Sequence, residues 1–91
     1  MQDFSMPVTT NKKDLPLDIK KIGLRLKQIR KAKGFSNSDD YAYKYQFNRS
    51  QYGKYEAGSE DLRMSSLINI LHIIDVKLSE FFNDEYDNIK L

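Results

Sequence analysis

Apolar residues recur along most of the chain at the spacing of one face of an α-helix. In the first such segment, four aliphatic residues follow one another at intervals of three, four and three positions: Ile19, Ile22, Leu26 and Ile29. This spacing predicts an amphipathic helix over residues 18–33. The same reasoning predicts four further helices, over residues 37–45, 49–57, 64–74 and 78–82. No segment shows strand alternation of useful length, so the sequence predicts an all-α fold.

The residues at the predicted helix ends agree with these boundaries. Asp18, Ser36 and Asn48 are suited to N-cap positions. Gly34 and Gly58 can adopt the left-handed conformation that often ends a helix. The chain thus divides into a flexible N-terminal arm (1–16), a five-helix domain (17–83) and a C-terminal tail (84–91). The tail could extend the fifth helix, fray or pack against a partner, and the pattern leaves these three open.

The second and third predicted helices are short and are joined by only three residues, 46–48. This arrangement is typical of a helix-turn-helix. In the third helix, Tyr52 and Tyr55 fall on the core side. The remaining side chains face outward and are small or polar: Arg49, Ser50, Gln51, Gly53 and Lys54. Such a helix fits the major groove of DNA, where Arg and Lys donate to guanine and Gln pairs with adenine. An ordinary amphipathic surface helix shows the same pattern, so both interpretations stay open here.

Charge and composition restrict the function further. Residues 12–54 carry twelve basic and four acidic residues, whereas residues 55–91 carry three basic and eight acidic residues. The basic half suggests a surface that faces a polyanion, or simply a solvated basic helix. The chain has no cysteine and one histidine, His72, and it shows no paired acid and base. We therefore expect no enzyme activity, metal, cofactor or small-molecule substrate. We also expect no signal peptide and no membrane span, and a cytoplasmic location.

Residues 22–82 resemble the lambda-repressor-like (Cro/XRE-type) helix-turn-helix family. The resemblance covers 61 of 91 residues and rests on the segments IGLRLKQIRKAKGFS, YAYKYQFNRSQYGKYEAG and LRMSSLINILHIIDVKLSEFF. Its most specific parts are Gly23 with Leu26, Ile29 and Arg30; Gly34 with Phe35 and Ser36; Tyr41-Ala42; and Tyr55-Glu56-Ala57-Gly58. The resemblance implies a bacterial regulator of transcription that binds double-stranded DNA.

The same resemblance implies roles for individual residues. Arg30 and Glu56 occupy positions where family members form a partly buried ion pair. Asn37 stands where the family commonly has a glutamine that contacts phosphate. At the third helix the resemblance implies contacts to bases or adjacent phosphates for Arg49, Ser50, Gln51 and Lys54. Independently of the resemblance, the helix N-terminus capped by Asn48 offers backbone N–H groups to a phosphate.

One departure from the family pattern concerns the start of the second helix. The segment FSNSDDYA has one residue more than usual between Gly34 and Tyr41, which shifts that start and puts the phosphate contact of Asn37 in doubt. The insertion, together with RSQYGKYE and LRMSSLINIL, is similar to a Bacteroidetes-type subgroup of regulators.

A domain this small makes few base contacts, so specific binding implies a homodimer on a two-fold site, with recognition helices about 34 Å apart. The apolar residues of the fifth helix and tail are candidates for the dimer surface: Phe81, Phe82, Tyr86, Ile89 and Leu91. An alternative function is a protein-interaction module that keeps the fold without DNA recognition.

Overall fold

A computed structural model describes residues 15–91 as six helices without a strand. The helices are α1 (Leu17–Ala32), α2 (Ser38–Tyr45), α3 (Arg49–Ala57), α4 (Met64–Ile73), α5 (Leu78–Phe81) and α6 (Asp84–Asp87). The first five of these confirm the five predicted helices, with end points that differ by at most one residue. The short α6 lies in the tail, whose structure the sequence left open. The predicted flexible arm covers residues 1–16, of which residues 1–14 lie outside the described part of the chain.

Several predicted helix ends are confirmed by the backbone. Gly34 and Gly58 have positive φ angles of 95° and 70°, as expected for left-handed residues that follow α1 and α3. The Asn48 side chain caps α3 by accepting a hydrogen bond from the Gln51 N–H at 2.9 Å. The predicted N-cap of α1, Asp18, was wrong. Pro16 occupies the N-cap, and Asp18 lies within the first turn, where its charge suits the positive helix end.

The start of α2 differs from the prediction as well. Asn37, rather than Ser36, is the N-cap, and its side-chain oxygen accepts a hydrogen bond from the Asp40 N–H at 2.8 Å. Ser36 and Asn37 are adjacent and both are good caps, and the hydrogen bond to Asp40 identifies Asn37 as the residue that is used. α2 therefore begins at Ser38.

A cluster of aromatic rings forms the part of the core beneath α2 and α3. Tyr41 is fully buried, and its ring centroid lies 5.2 Å from that of Phe35, 5.1 Å from Tyr45 and 5.6 Å from Tyr52. Aromatic pairs at such distances each contribute about 0.5–1.5 kcal/mol beyond the area they bury. Burial raises the pKa of both Tyr41 and Tyr52, so both phenols stay neutral in the core. The predicted position of Tyr52 on the core side of the third helix is confirmed.

Arg25 lies outside the predicted apolar stripe of α1, and the spacing of apolar residues gave no sign of its burial. It is buried, and its guanidinium donates to the carbonyl oxygens of Phe81 at 2.8 Å and Glu80 at 2.7 Å. It also contacts Glu85 in α6, at 3.1 Å. Arg25 thus satisfies carbonyls at the end of α5 and ties the C-terminal helices to α1.

Arg30 of α1 and Glu56 of α3 form a two-pronged ion pair in the interior. The Arg30 Nε atom donates to Glu56 Oε2 at 2.9 Å, and Nη2 donates to Oε1 at 3.1 Å. Their side chains are 5% and 9% exposed. The remaining Nη1 atom donates to the carbonyl oxygen of Phe35 at 2.8 Å. Glu56 raises the pKa of Arg30 through this hydrogen bond, so the guanidinium stays charged. One side chain therefore connects α1, the loop before α2 and the end of α3.

The two ion pairs allow a direct comparison of a buried and an exposed carboxylate. We expect Glu56→Ala to lower the free energy of unfolding by about 3–5 kcal/mol, because the buried Arg30 loses its counter-charge. Glu85→Ala is the matched control: that carboxylate is 71% exposed, so its loss should cost less than about 1 kcal/mol. Urea denaturation followed by circular dichroism measures both, and equal costs would contradict the structural role of the Arg30–Glu56 pair.

Candidate nucleic-acid interface

A tight turn of three residues joins α2 to α3. Gln46, directly after Tyr45 at the end of α2, adopts a left-handed conformation with φ 62° and ψ 35°. The Phe47 N–H then donates to the carbonyl oxygen of Ala42 at 2.8 Å, which closes the turn against α2. The Phe47 ring is half-buried and stacks on Tyr52, with centroids 5.3 Å apart. These contacts fix the point at which α3 begins.

α3 has a buried side and an exposed polar side. Tyr52 is 2% exposed, Tyr55 is half-buried against the rest of the domain, and the side chain of Glu56 is 9% exposed. The predicted contact residues of α3 are all exposed, and so is the cap residue before them: Asn48, Arg49, Ser50, Gln51 and Lys54. The structure thus brings these predicted residues together on one accessible helix.

The N-terminal end of α3 adds backbone donors to this surface. The first N–H groups of a helix lack partners within it, and the helix dipole gives this end a partial positive charge. In α3 the exposed Asn48 side chain satisfies the Gln51 N–H, and no acidic residue lies in the first turn. Arg49, at the same end, adds a full positive charge. The arrangement suits an anionic oxygen such as that of a phosphate.

Gly53 lies in the middle of α3, where a glycine is unfavourable for the helix. A Cβ atom at this position would have no heavy atom within 4 Å. The packing of the domain therefore gives no reason for a glycine here. Its effect is to leave the helix backbone uncovered on the outer side.

Asn37 is exposed, but both polar atoms of its side chain contact Asp40. Its Oδ1 atom caps α2, and its Nδ2 atom donates to Asp40 Oδ2 at 3.2 Å. A carboxylate beside the amide disfavours a phosphate at the same place, because like charges repel. The phosphate contact of Asn37 stays a prediction.

Two exposed residues near α3 were not among the predicted contacts. Lys44 and Gln46 line a shallow depression with Tyr43, Phe47 and Arg49, between the end of α2 and the start of α3. Lys44 therefore supplies a second cation beside Arg49. The signal in the sequence was available, since Lys44 falls on the outer side of α2 near the three-residue turn.

Among residues 15–91, no group of three or more His, Cys, Asp and Glu side chains is arranged to hold a metal ion. Within that range, no helix has the length and apolar character that crossing a membrane requires.

The arrangement of α2, the turn and α3 within an all-helical domain defines a helix-turn-helix fold. No family model and no curated protein matches the chain. Among solved structures, the chain is similar to the restriction-modification controller protein C.AhdI from Aeromonas hydrophila. The two are 27% identical with a TM-score of 0.62, over 74% of this chain and 100% of C.AhdI. This likeness supports the broad helix-turn-helix class, and the similarity to a Bacteroidetes-type subgroup stays a prediction.

Alanine substitution of two glycines tests which side of α3 is packed against the domain and which side is open. We expect Gly53→Ala to raise the free energy of unfolding by about 1 kcal/mol, because alanine favours a helix and the new methyl group meets open space. Gly23→Ala in α1 is the contrasting variant. Its Cβ would lie 2.5 Å from the Tyr55 carbonyl oxygen and 2.6 Å from that of Glu56, so α1 and α3 would have to separate. Thermal and urea denaturation measure both, and a destabilised Gly53→Ala protein would show that the outer side of α3 is not open.

Proposed function

We propose that the chain is a sequence-specific regulator of transcription that inserts α3 into the major groove of double-stranded DNA. The observation that carries the proposal is the outer side of α3. It is polar and exposed, it has no side chain at Gly53, and its inner side is fixed by Tyr52 and the Arg30–Glu56 pair. The description of C.AhdI as a controller protein supports a regulatory role.

The exposed polar residues of α3 can form hydrogen bonds with the base edges or the phosphates of DNA. Arg49 and Lys54 can donate to the O6 and N7 atoms of guanine, and Gln51 can form two hydrogen bonds with adenine. Ser50 can bond to a base edge or a phosphate, and the capped N-terminus at Asn48 can receive a phosphate. Lys44, at the end of α2, lies where the bracing helix of a helix-turn-helix meets the DNA backbone.

The proposal includes a homodimer on a two-fold DNA site, because a single short helix reads only a few base pairs. The apolar residues of α5 and the tail, suggested by the sequence for the dimer surface, are mostly used within the chain. Phe81 is fully buried, and Phe82, Tyr86 and Ile89 are half-buried; Leu91 is 62% exposed. The proposal also includes a bacterial origin and a cytoplasmic location, where such a regulator would meet its DNA.

Substitution of Arg49 tests whether the N-terminal part of α3 contacts the bases of DNA. We expect a two-fold motif to be enriched from a randomised duplex library, and Arg49→Ala to lose preference at one position of each half-site. The expected loss of discrimination is about 1–3 kcal/mol, because a two-pronged contact to a base disappears. Lys31→Ala is the control, since this exposed lysine lies on α1 and should at most weaken binding equally for all sequences.

An unchanged motif and affinity for Arg49→Ala would show that the recognition helix is misplaced. The dependence of affinity on salt separates DNA binding from the alternative of a protein-interaction module. Phosphate contacts release counterions, so affinity for DNA should fall steeply as salt rises. No enrichment of any duplex would leave the interaction module as the better function.

The variant Gly53→Ala gives a second test of DNA binding. We expect it to weaken binding although it stabilises the folded protein. If DNA approaches the α3 backbone closely, the methyl group of Gly53→Ala should weaken specific binding about tenfold, or about 1.4 kcal/mol. The same variant is expected to be more stable, so lost binding cannot be attributed to unfolding. Fluorescence anisotropy with the selected duplex measures the change. Unaltered affinity would mean that Gly53 is merely tolerated.

A further inference from the structure

A groove with exposed lysines and a deeper aliphatic floor lies between α1 and the segment that follows α6. Lys27 and Lys31 line it from α1, and Lys90 lines it from the other side. All three lysines are exposed, whereas the aliphatic residues that line the groove, Leu24 and Ile89, are half-buried. These five residues define what we call the α1–tail groove. It combines positive charge with apolar surface.

The lysines of the α1–tail groove lack a counter-charge in the described part of the chain. Within residues 15–91, ion pairs are formed by Arg25 and Arg30, and not by these lysines. No Asp or Glu side chain is among those that line the groove. Lys27 and Lys31 are one helical turn apart, so their like charges repel each other. An anionic group in the groove would relieve this repulsion.

The groove also offers apolar and hydrogen-bonding groups beside these charges. Leu24 lies outside the apolar stripe that α1 buries, and it interrupts a lysine-rich outer face. Gln28 and Asn88, which are exposed, line the groove as well. The Gln28 Oε1 atom accepts a hydrogen bond from Arg25 Nη1 at 3.0 Å, which leaves the N–H donors of this amide for a ligand. A ligand that matches the groove therefore has carboxylates, an apolar group and carbonyl oxygens.

We propose that the α1–tail groove binds an acidic segment of a partner protein, in which an apolar side chain lies between acidic ones. The carboxylates of the segment face Lys27, Lys31 and Lys90, and its apolar side chain covers Leu24 and Ile89. Exposed ion pairs alone contribute little, so the apolar contact is what makes binding selective. The sugar–phosphate backbone of DNA supplies negative charge but no apolar side chain, so a peptide fits the groove better.

The α1–tail groove is separate from the proposed DNA interface. None of its lining residues belongs to α2, to the turn 46–48 or to α3. An acidic segment bound in the groove leaves Arg49, Gln51 and Lys54 uncovered. The inference therefore stands independently of the proposed DNA-binding function. If both hold, the domain connects a DNA site to a second protein.

Selection from a library of short random peptides, with the full chain as bait, tests the inference. We expect enrichment of peptides with several acidic residues around an aliphatic or aromatic one. Fluorescence anisotropy with an enriched peptide then compares Lys31→Glu with Lys33→Glu, since Lys33 is exposed at the end of α1 but does not line the groove. Lys31→Glu should weaken binding about tenfold, because like charges then face each other, and Lys33→Glu less than about twofold. Circular dichroism checks that both variants are folded.

The variant Ile89→Ser tests the apolar part of the groove. We expect it to weaken binding of the enriched peptide at least about threefold without a change in net charge, because less apolar surface is buried. In NMR spectra, the amide resonances of Leu24 and Gln28 should shift when the peptide is added, and those of Gln51 and Lys54 in α3 should not.

Three results would each overturn the inference. The first is a selection that enriches no acidic peptide. The second is an equal loss of binding in Lys31→Glu and Lys33→Glu, which would indicate attraction to the overall charge of the chain. The third is displacement of the peptide by duplex DNA of random sequence, which would assign the groove to nucleic acid.

Discussion

The ion pair between Arg30 and Glu56 fixes the orientation of α3, and the candidate interface depends on that orientation. Glu56 lies near the C-terminal end of α3, while Tyr52 anchors the middle of the helix in the aromatic cluster. Because Arg30 also holds the carbonyl oxygen of Phe35, the same guanidinium positions the loop that leads into α2. A buried pair of this kind adds little net stability compared with apolar residues of similar volume. Its value is directional, since a two-pronged contact defines how α3 is rotated and therefore which residues face outward.

Close packing of α1 on α3 makes this ion pair geometrically possible. Gly23 allows the backbone of α1 to approach the carbonyl oxygens of Tyr55 and Glu56, where no larger residue fits. Gly58, just after α3, lies similarly close to Lys20 of α1, since a Cβ there would be 2.9 Å from the Lys20 Cα atom. The two glycines of this contact thus have a packing reason. Gly53 has no such packing reason within the domain, and the open space beside it lies on the outer side of α3.

The spacing of apolar residues, together with the capping residues, was sufficient to predict α1 to α5, whereas α6 buries no residue and was left open. It was insufficient for Arg25, whose partners are backbone carbonyl oxygens of Glu80 and Phe81, more than fifty positions away. The cap of α2 was misassigned because Ser36 and Asn37 are adjacent and both are good caps, so only the folded loop distinguishes them. The exposed side of α3 was predictable, since Tyr52 and Tyr55 fix its inner side. Which bases that side would read is a property of the DNA partner as much as of these residues.

Two neighbouring helices expose surfaces of opposite character, and this contrast suggests a division of roles. The outer side of α3 carries cations, amides and helix N–H groups, which lose little when they exchange water for phosphate oxygens and base edges. The outer side of α4 carries aliphatic and uncharged polar groups, namely Ser65, Ile68, Asn69, His72 and Ile73, which offer no charge to a phosphate. The two surfaces meet at the cleft between Gln51 and Ile73. A substitution on the outer side of α4 therefore leaves unchanged the residues of α3 that are proposed to contact DNA, so the two surfaces can be tested separately.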